Sequence, residues 1–193
     1  SDSIFIQVYP SAQLPLVNDT AICKGNNLNI SAIGNDSYKW YSEITGGTLL
    51  STGAIYTQNN IQTPFAIFLD GTTTNGCSAT TRKKIQINVN PLPTVDFTQE
   101  VEMDNGNYIT SFDPSCSGAD AYSWNFNGMD TSNLENPTYT FSVNGVYTIT
   151  LVATNIQTGC SNSIQKNVDI HVKTDLFIPT TFTPNNDGKN DLF

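Results

Sequence analysis

The sequence is short of positive charge. Of its 193 residues 8 are Lys or Arg, against 17 Asp and Glu, for a formal net charge of −9. Nucleic acid is not an expected partner, because neutralising phosphates needs a basic stripe. An acidic chain also gains nothing from an anionic membrane surface. No apolar run approaches the roughly 20 residues of a membrane-spanning helix, so direct membrane insertion is not expected. Histidine occurs once, at His171, and no Cys-x-x-Cys pair occurs, so a Cys/His zinc set cannot be completed. There is no G-x-S-x-G elbow, H-E-x-x-H helix or Walker loop. The acids leave paired carboxylates of the glycosidase kind formally open. They are scattered through turns, however, and small sandwiches offer no deep cleft. The expectation is a non-catalytic chain with no catalytic residues. It has no initiator Met and no signal-peptide pattern at Ser1. It opens on strand-like Ile4-Phe5-Ile6-Gln7-Val8, which suggests a piece of something longer.

What is present is β structure. Polarity comes from Thr, Ser and Asn, a composition suited to solvated strand faces and turns. Short β-rich runs recur at 27–32, 38–41, 65–69, 84–89, 108–112, 122–126, 146–154 and 167–172. Asn-Gly pairs at Asn75, Asn105, Asn127 and Asn144 read as tight hairpin turns, because both residues tolerate positive φ. No window has an apolar 3.6-residue period, so helices are single turns at most.

The two halves repeat one another. Gly76-Cys77-Ser78 recurs as Gly159-Cys160-Ser161, and each Cys precedes a strand-ending Val, Val89 or Val172, by the same interval. Trp40 and Trp124 precede those cysteines at nearly equal distance. The fold class is all-β: beads of about 82 residues, each a small sandwich, arranged as a stalk. The expected domains are residues 10–91 and 92–173, with 174–193 as a linker and C-terminal segment. Residues 1–9 read as the last strand of a preceding domain or the first strand of the next. Prolines at 10, 15, 91 and 93 make the joints short and stiff.

The cysteines are Cys23, Cys77, Cys116 and Cys160. An even count over two units suggests one disulfide in each, Cys23–Cys77 and Cys116–Cys160, in an oxidising compartment. Four small buried thiols are the alternative. Trp124, Phe126, Tyr139, Phe141, Tyr147, Ile149 and Leu151 fall two apart within their runs, as one strand face requires. Core packing is the first reading of them, and of Tyr38, Trp40, Tyr41 and Tyr56; a sugar-stacking platform is the second. Glu100, Glu102 and Asp104 read as a solvated hairpin tip. Arg82-Lys83-Lys84 reads as a solvated strand that protects a sheet edge.

Cys23-Lys24-Gly25, Trp40-Tyr41 and the late Gly76-Cys77-Ser78 give residues 10–90 a resemblance to immunoglobulin-like domains of long Bacteroidetes surface proteins. Residues 92–173 resemble a PKD domain through Phe112, Tyr122-Ser123-Trp124, Asn136-Pro137-Thr138, Gly145 to Leu151, Val152-Ala153-Thr154-Asn155 and Gly159-Cys160. The family's W-D-F-G-D-G stands here as Trp124-Asn125-Phe126-Asn127-Gly128-Met129. Two carboxylates are absent from that turn, so no cation role of the loop carries over.

The stretch from Ile178 to Phe193 matches I-P-x-x-F-T-P-N-x-D-G-x-N-D-x-F. It resembles the opening of the type B, gliding-motility-associated sorting domain of proteins exported by the type IX secretion system. That resemblance implies an extracellular protein, on the cell surface or released, of a Bacteroidetes-type bacterium, with the secretion and surface-attachment machinery as partner. Asn185, Asp187 and Asp191 are spaced as alternate ligands on a Gly-containing turn, which makes calcium the one candidate cofactor. An Asx-rich structural turn is the competing reading. Asp2-Ser3-Ile4 and Asp19-Thr20-Ala21 fit a D-[S/T]-hydrophobic pattern of O-glycosylation in these bacteria, giving Ser3 and Thr20 as candidates.

The resulting expectation is a non-catalytic stalk or adhesin segment of a secreted surface protein, gliding adhesins included. The alternatives are the accessory tail of a secreted polysaccharide- or protein-degrading enzyme, or a module that binds a glycan or surface protein through its loops.

Overall fold

The computed structural model describes residues 4–171. Among these residues there are fourteen strands and no helix. The first unit holds β1 (Thr20–Cys23), β2 (Leu28–Ser31), β3 (Ser37–Tyr41), β4 (Leu49–Thr52), β5 (Ile55–Gln58), β6 (Phe65–Thr72) and β7 (Lys83–Asn90). They form a five-stranded sheet, β1-β7-β6-β3-β4, and a two-stranded sheet of β2 and β5. The second unit holds β8 (Phe97–Asp104), β9 (Asn107–Pro114), β10 (Ala121–Phe126), β11 (Asp130–Ser132), β12 (Thr138–Phe141), β13 (Gly145–Thr154) and β14 (Ser161–Ile170). These make a four-stranded sheet, β11-β10-β13-β14, and a three-stranded sheet, β12-β9-β8.

Period-two alternation drives this arrangement. In β3, Tyr38 and Trp40 are buried while Ser37 and Lys39 are exposed. In β13, Ile149, Leu151 and Ala153 point inward. Each unit has its own core: one is built on Leu28, Trp40, Ile67, Leu69, Ile85 and Ile87, the other on Phe97, Phe112, Trp124, Phe126, Ile149 and Leu151. Both tryptophans are 0% exposed. Each satisfies its buried indole N–H by donating to a backbone carbonyl, Gly53 O at 2.8 Å from Trp40 and Leu134 O at 3.0 Å from Trp124. The second core is chained by ring contacts from Phe97 to Tyr147, with centroids 4.3 to 6.5 Å apart. Such pairs contribute about 0.5–1.5 kcal/mol each beyond their area.

Among the described residues all strand pairs are antiparallel but one. β1 lies parallel to β7, with Thr20 opposite Ile87 and Cys23 opposite Asn90. The first strand of the unit thus runs to the same pole as its last.

The Asn-Gly pairs divide. Asn105-Gly106 and Asn127-Gly128 have positive φ at both residues, 49° and 81°, 54° and 75°, and close tight hairpins. At Asn75-Gly76 only the glycine has positive φ. Asn144-Gly145 is not such a turn, because Gly145 already opens β13. The last strand also starts at Ser161, earlier than the 167–172 run suggests. Residues 4–8 form no strand, and Ile4, Phe5, Ile6 and Val8 are 84–95% exposed.

Candidate functional site

The feature that sets this chain apart is the joint between its two sandwiches. β7 delivers the chain to Asn90, and Pro91, Leu92 and Pro93 carry it toward β8. Cys23 arrives at the same place, because β1 parallels β7; the Lys24 N–H then donates to Asn90 O at 2.9 Å. From the second unit, Asn162 Nδ2 donates to Pro93 O at 3.0 Å. Thr94 and Ser117 exchange backbone hydrogen bonds beside it, and their hydroxyls lie 2.7 Å apart. Cys160, one residue ahead of β14, faces this junction. A disulfide joins Cys23 to Cys160 with a Cα–Cα distance of 5.5 Å, inside the range a disulfide spans. An open hollow of about 480 Å³ lies at the joint, bordered by Lys24, Gly25, Gln62, Pro93 and Asn162.

This corrects the expected pairing. Cys23–Cys77 and Cys116–Cys160 do not form; the bond is Cys23–Cys160, and Cys77 and Cys116 are free, half-buried thiols. Strand direction is the reason. Cys77 sits in the loop between β6 and β7, where Ser78 bridges to Thr72, before β7 begins at Lys83. Cys23 is level with the other end of β7, roughly 23 Å away along a strand rising about 3.3 Å per residue. Cys116 follows β9 and packs against the second core, its Sγ 3.7 Å from Asp96 O.

The repeated Gly-Cys-Ser nevertheless marks a true structural equivalence. Thr73 N donates to Cys77 O at 3.0 Å and Asn155 N to Cys160 O at 2.9 Å; Gly76 N donates to Thr73 O and Gly159 N to Asn155 O, both at 2.8 Å. Each closes a short loop ahead of the last strand of its unit, the second loop one residue longer than the first, and at Gly76 and Gly159 φ is 79° and 70°, which glycine adopts without strain.

The aromatic residues are core. Tyr38, Trp40, Tyr56, Trp124, Phe126 and Phe141 are buried, and Tyr139 and Tyr147 pack against the second core. Among the described residues the exposed aromatics are Phe5 and Tyr9, both ahead of the first strand. Half-buried Tyr41 is covered by the Arg82 guanidinium, 3.4 Å from its centroid, a cation–π contact. Arg82 also donates to Glu43 O and Gly46 O, so it fastens the β3–β4 loop and is not simply solvated. Lys83 and Lys84 lie on the part of β7 that β1 leaves uncovered, since their register begins at Ile87.

In the PKD-like turn the asparagines serve the backbone: Asn125 Oδ1 accepts from Gly128 N at 2.7 Å and Asn127 Oδ1 from Thr148 N at 3.1 Å. Glu100, Glu102 and Asp104 stand exposed on β8, one arm of the Asn105-Gly106 hairpin. His171 follows β14, exposed, with Nδ1 2.9 Å from Asp169. Among the described residues no three His, Cys, Asp or Glu side chains converge as metal ligands. Thr20 is half-buried at the start of β1, and neighbouring Asp19 accepts from Gln86 N at 2.8 Å. Ser3 and the candidate calcium ligands Asn185, Asp187 and Asp191 lie outside the described residues.

Among the described residues three groups titrate away from their ordinary values. The Lys166 ammonium and the Phe97 N–H hold the exposed Asp96 carboxyl below the usual carboxylate range. Burial raises the Tyr56 phenol. Burial, then the nearby Glu135, raises that of Tyr122. Tyr122 borders an open hollow of about 510 Å³ together with Asp120 and Glu135; the Asp96 shift describes an ion pair and the Tyr56 shift describes packing.

Residues 10–91 match the family model described as Ig-like domain, CHU_C associated, and residues 88–172 match that of the PKD domain. The chain therefore carries an Ig-like domain followed by a PKD domain, both non-catalytic module types. Among solved structures it is similar to the PKD1 domain of Vibrio anguillarum Epp, with 21% identity over 42% of this chain and 95% of that one, at a TM-score of 0.35. It is also similar to the PKD1 domain of the Vibrio cholerae metalloprotease PrtV, with 24% identity over 42% and 99%, at 0.33. A structure from a 1.5-MDa bacterial ice-binding adhesin is 12% identical over 84% of this chain and 65% of that one, at 0.38. No curated protein matches the chain. These domain types and the disulfide mark an extracellular or surface protein.

Proposed function

We propose that residues 10–171 are a load-bearing spacer in the stalk of a surface protein, exported by a type IX secretion system of a Bacteroidetes-type bacterium and attached through its C-terminal segment. The observation that carries the spacer reading is the Cys23–Cys160 bond, which fastens one sandwich to the next at the joint. A ligand-binding module needs a surface to present. Here most of the aromatic residues are packed into two cores, and the one arginine staples a loop. The export assignment is supported by the sorting-domain resemblance of residues 178–193.

The test is binding of the folded, oxidised chain to a glycan array and to cell-surface preparations, with calcium and with chelator. The spacer reading expects no saturable binding. Saturable binding would replace it with an adhesive module. Export is tested by deleting residues 178–193 from the protein in its own host, which should leave it inside the outer membrane.

A further inference from the structure

We infer that the Cys23–Cys160 disulfide is a mechanical bypass that removes residues 24–159 from the tensile path between the ends of the chain. The inference rests on the spacer reading for its biological use, since only a segment that bears tension needs it.

The geometry is as follows. β1 runs along the joint-side half of β7, from Thr20 opposite Ile87 to Cys23 opposite Asn90 at the joint. β14 leaves from the joint, where Asn162 holds Pro93, and ends at Ile170, opposite Gly145 at the far pole of the PKD domain. The shortest covalent route through both domains is therefore β1, the sulfur–sulfur bond and β14. Its strands of 4 and 10 residues are already extended, so the route has little slack. Everything from β2 to β13 hangs on it as a closed loop.

The bypassed loop is large. The cysteines are 137 residues apart in sequence, which corresponds to roughly 450–490 Å of fully extended chain. Without the bond, unfolding of both domains under tension feeds that length into the stalk, and unfolding of either one feeds in roughly half of it. With it, either core can open while the distance between the ends changes little. Disulfides within each domain, Cys23–Cys77 and Cys116–Cys160, would leave the joint and β7, β8 and β9 in the path. A bond across the joint, placed where the first strand of one domain ends and the last strand of the next begins, encloses both cores.

The test is single-molecule extension of the complete oxidised chain held by its two termini, compared with Cys23→Ser and Cys160→Ser. Circular dichroism and tryptophan fluorescence first establish that each variant is folded. The oxidised chain should release no more than about 50 Å of new contour before the tether fails, and each folded variant roughly 450 Å. Equal release from all three would overturn the inference. Should a serine variant not fold, the reduced wild-type chain takes its place with the same expected gain. Non-reducing peptide mapping gives a second check: a Cys23–Cys160 peptide supports the bypass, and Cys23–Cys77 or Cys116–Cys160 peptides overturn it. Ligand binding by these domains would refute the spacer reading and leave the extension result standing.

Discussion

Thr110 offers a prediction whose sign tests the account of the second core. It lies in β9, the central strand of its sheet, opposite Tyr139 on one side and Val101 on the other. It shares a face with Phe112, two residues on, and is 0% exposed. Among the described residues its hydroxyl has no hydrogen-bond partner. A hydroxyl buried without a partner costs about 1–3 kcal/mol by the standard of protein substitutions. Valine keeps the β-branch and nearly the same shape, removes that cost and adds a buried methyl. Thr110→Val is therefore expected to stabilise the PKD domain by about 1–3 kcal/mol, where most core substitutions destabilise. For a domain of this size each kcal/mol moves the melting temperature by about 4–8 °C. Scanning calorimetry of the whole chain should show one transition rising while that of the Ig-like domain stays put. Thr110→Ser, which keeps the hydroxyl and loses the methyl, should fall by about 1 kcal/mol. A lower melting temperature for Thr110→Val would refute the reasoning, because it would mean that the hydroxyl contributes a bond worth more than its burial costs.

Trp124→Phe removes the indole donor to Leu134 O and leaves a void in the chain of rings, so the PKD transition should drop by about 2–4 kcal/mol; a loss under about 1 kcal/mol would show that the core closes over the gap. Asp96→Asn tests the exposed pair with Lys166. Its carboxyl titrates below the ordinary range when folded, so its contribution is present above the unfolded value, near pH 4, and disappears as pH falls through the folded value. The difference in urea midpoint between wild type and variant should therefore shrink on acidification below about pH 4, and a difference constant with pH would remove the pair from the account.

The β class was legible because the buried strands carry their pattern locally. Trp40 with Tyr38, or Ile149 with Leu151 and Ala153, show period two within a few residues. The strands that escape notice are short or unpatterned. β1, β4, β5 and β11 have three or four residues each, too few for alternation to rise above composition. β8 is long but lies at the edge of its sheet, with most of its side chains exposed, Glu100, Glu102 and Asp104 among them. Charges of that kind keep an edge from pairing with other chains, and in doing so they erase the apolar signal that identifies a strand. The aromatic spacing was legible as one face, but core and sugar platform present the same spacing; only burial separates them.

The joint was the part that local pattern could not reach. Pairing cysteines by unit assumes that residues close in sequence order share an end of the domain. In the Ig-like domain they do not, because the position of Cys23 is set by β1 lying parallel to β7, a contact between segments more than sixty residues apart that no turn dictates. A clue was nonetheless in the sequence. Gly76-Cys77-Ser78 and Gly159-Cys160-Ser161 are equivalent loops ahead of the last strand, so Cys77 and Cys160 occupy corresponding ends of their domains. That end of the PKD domain is the one facing the Ig-like domain, since β14 starts beside Pro93 and runs away from it. A cysteine at such an end is aimed at the preceding domain rather than at its own, and its partner must stand where a strand of that preceding domain finishes. Cys23 closes β1 at that place, which is why the bond crosses the joint and joins two residues that each domain alone leaves unpaired.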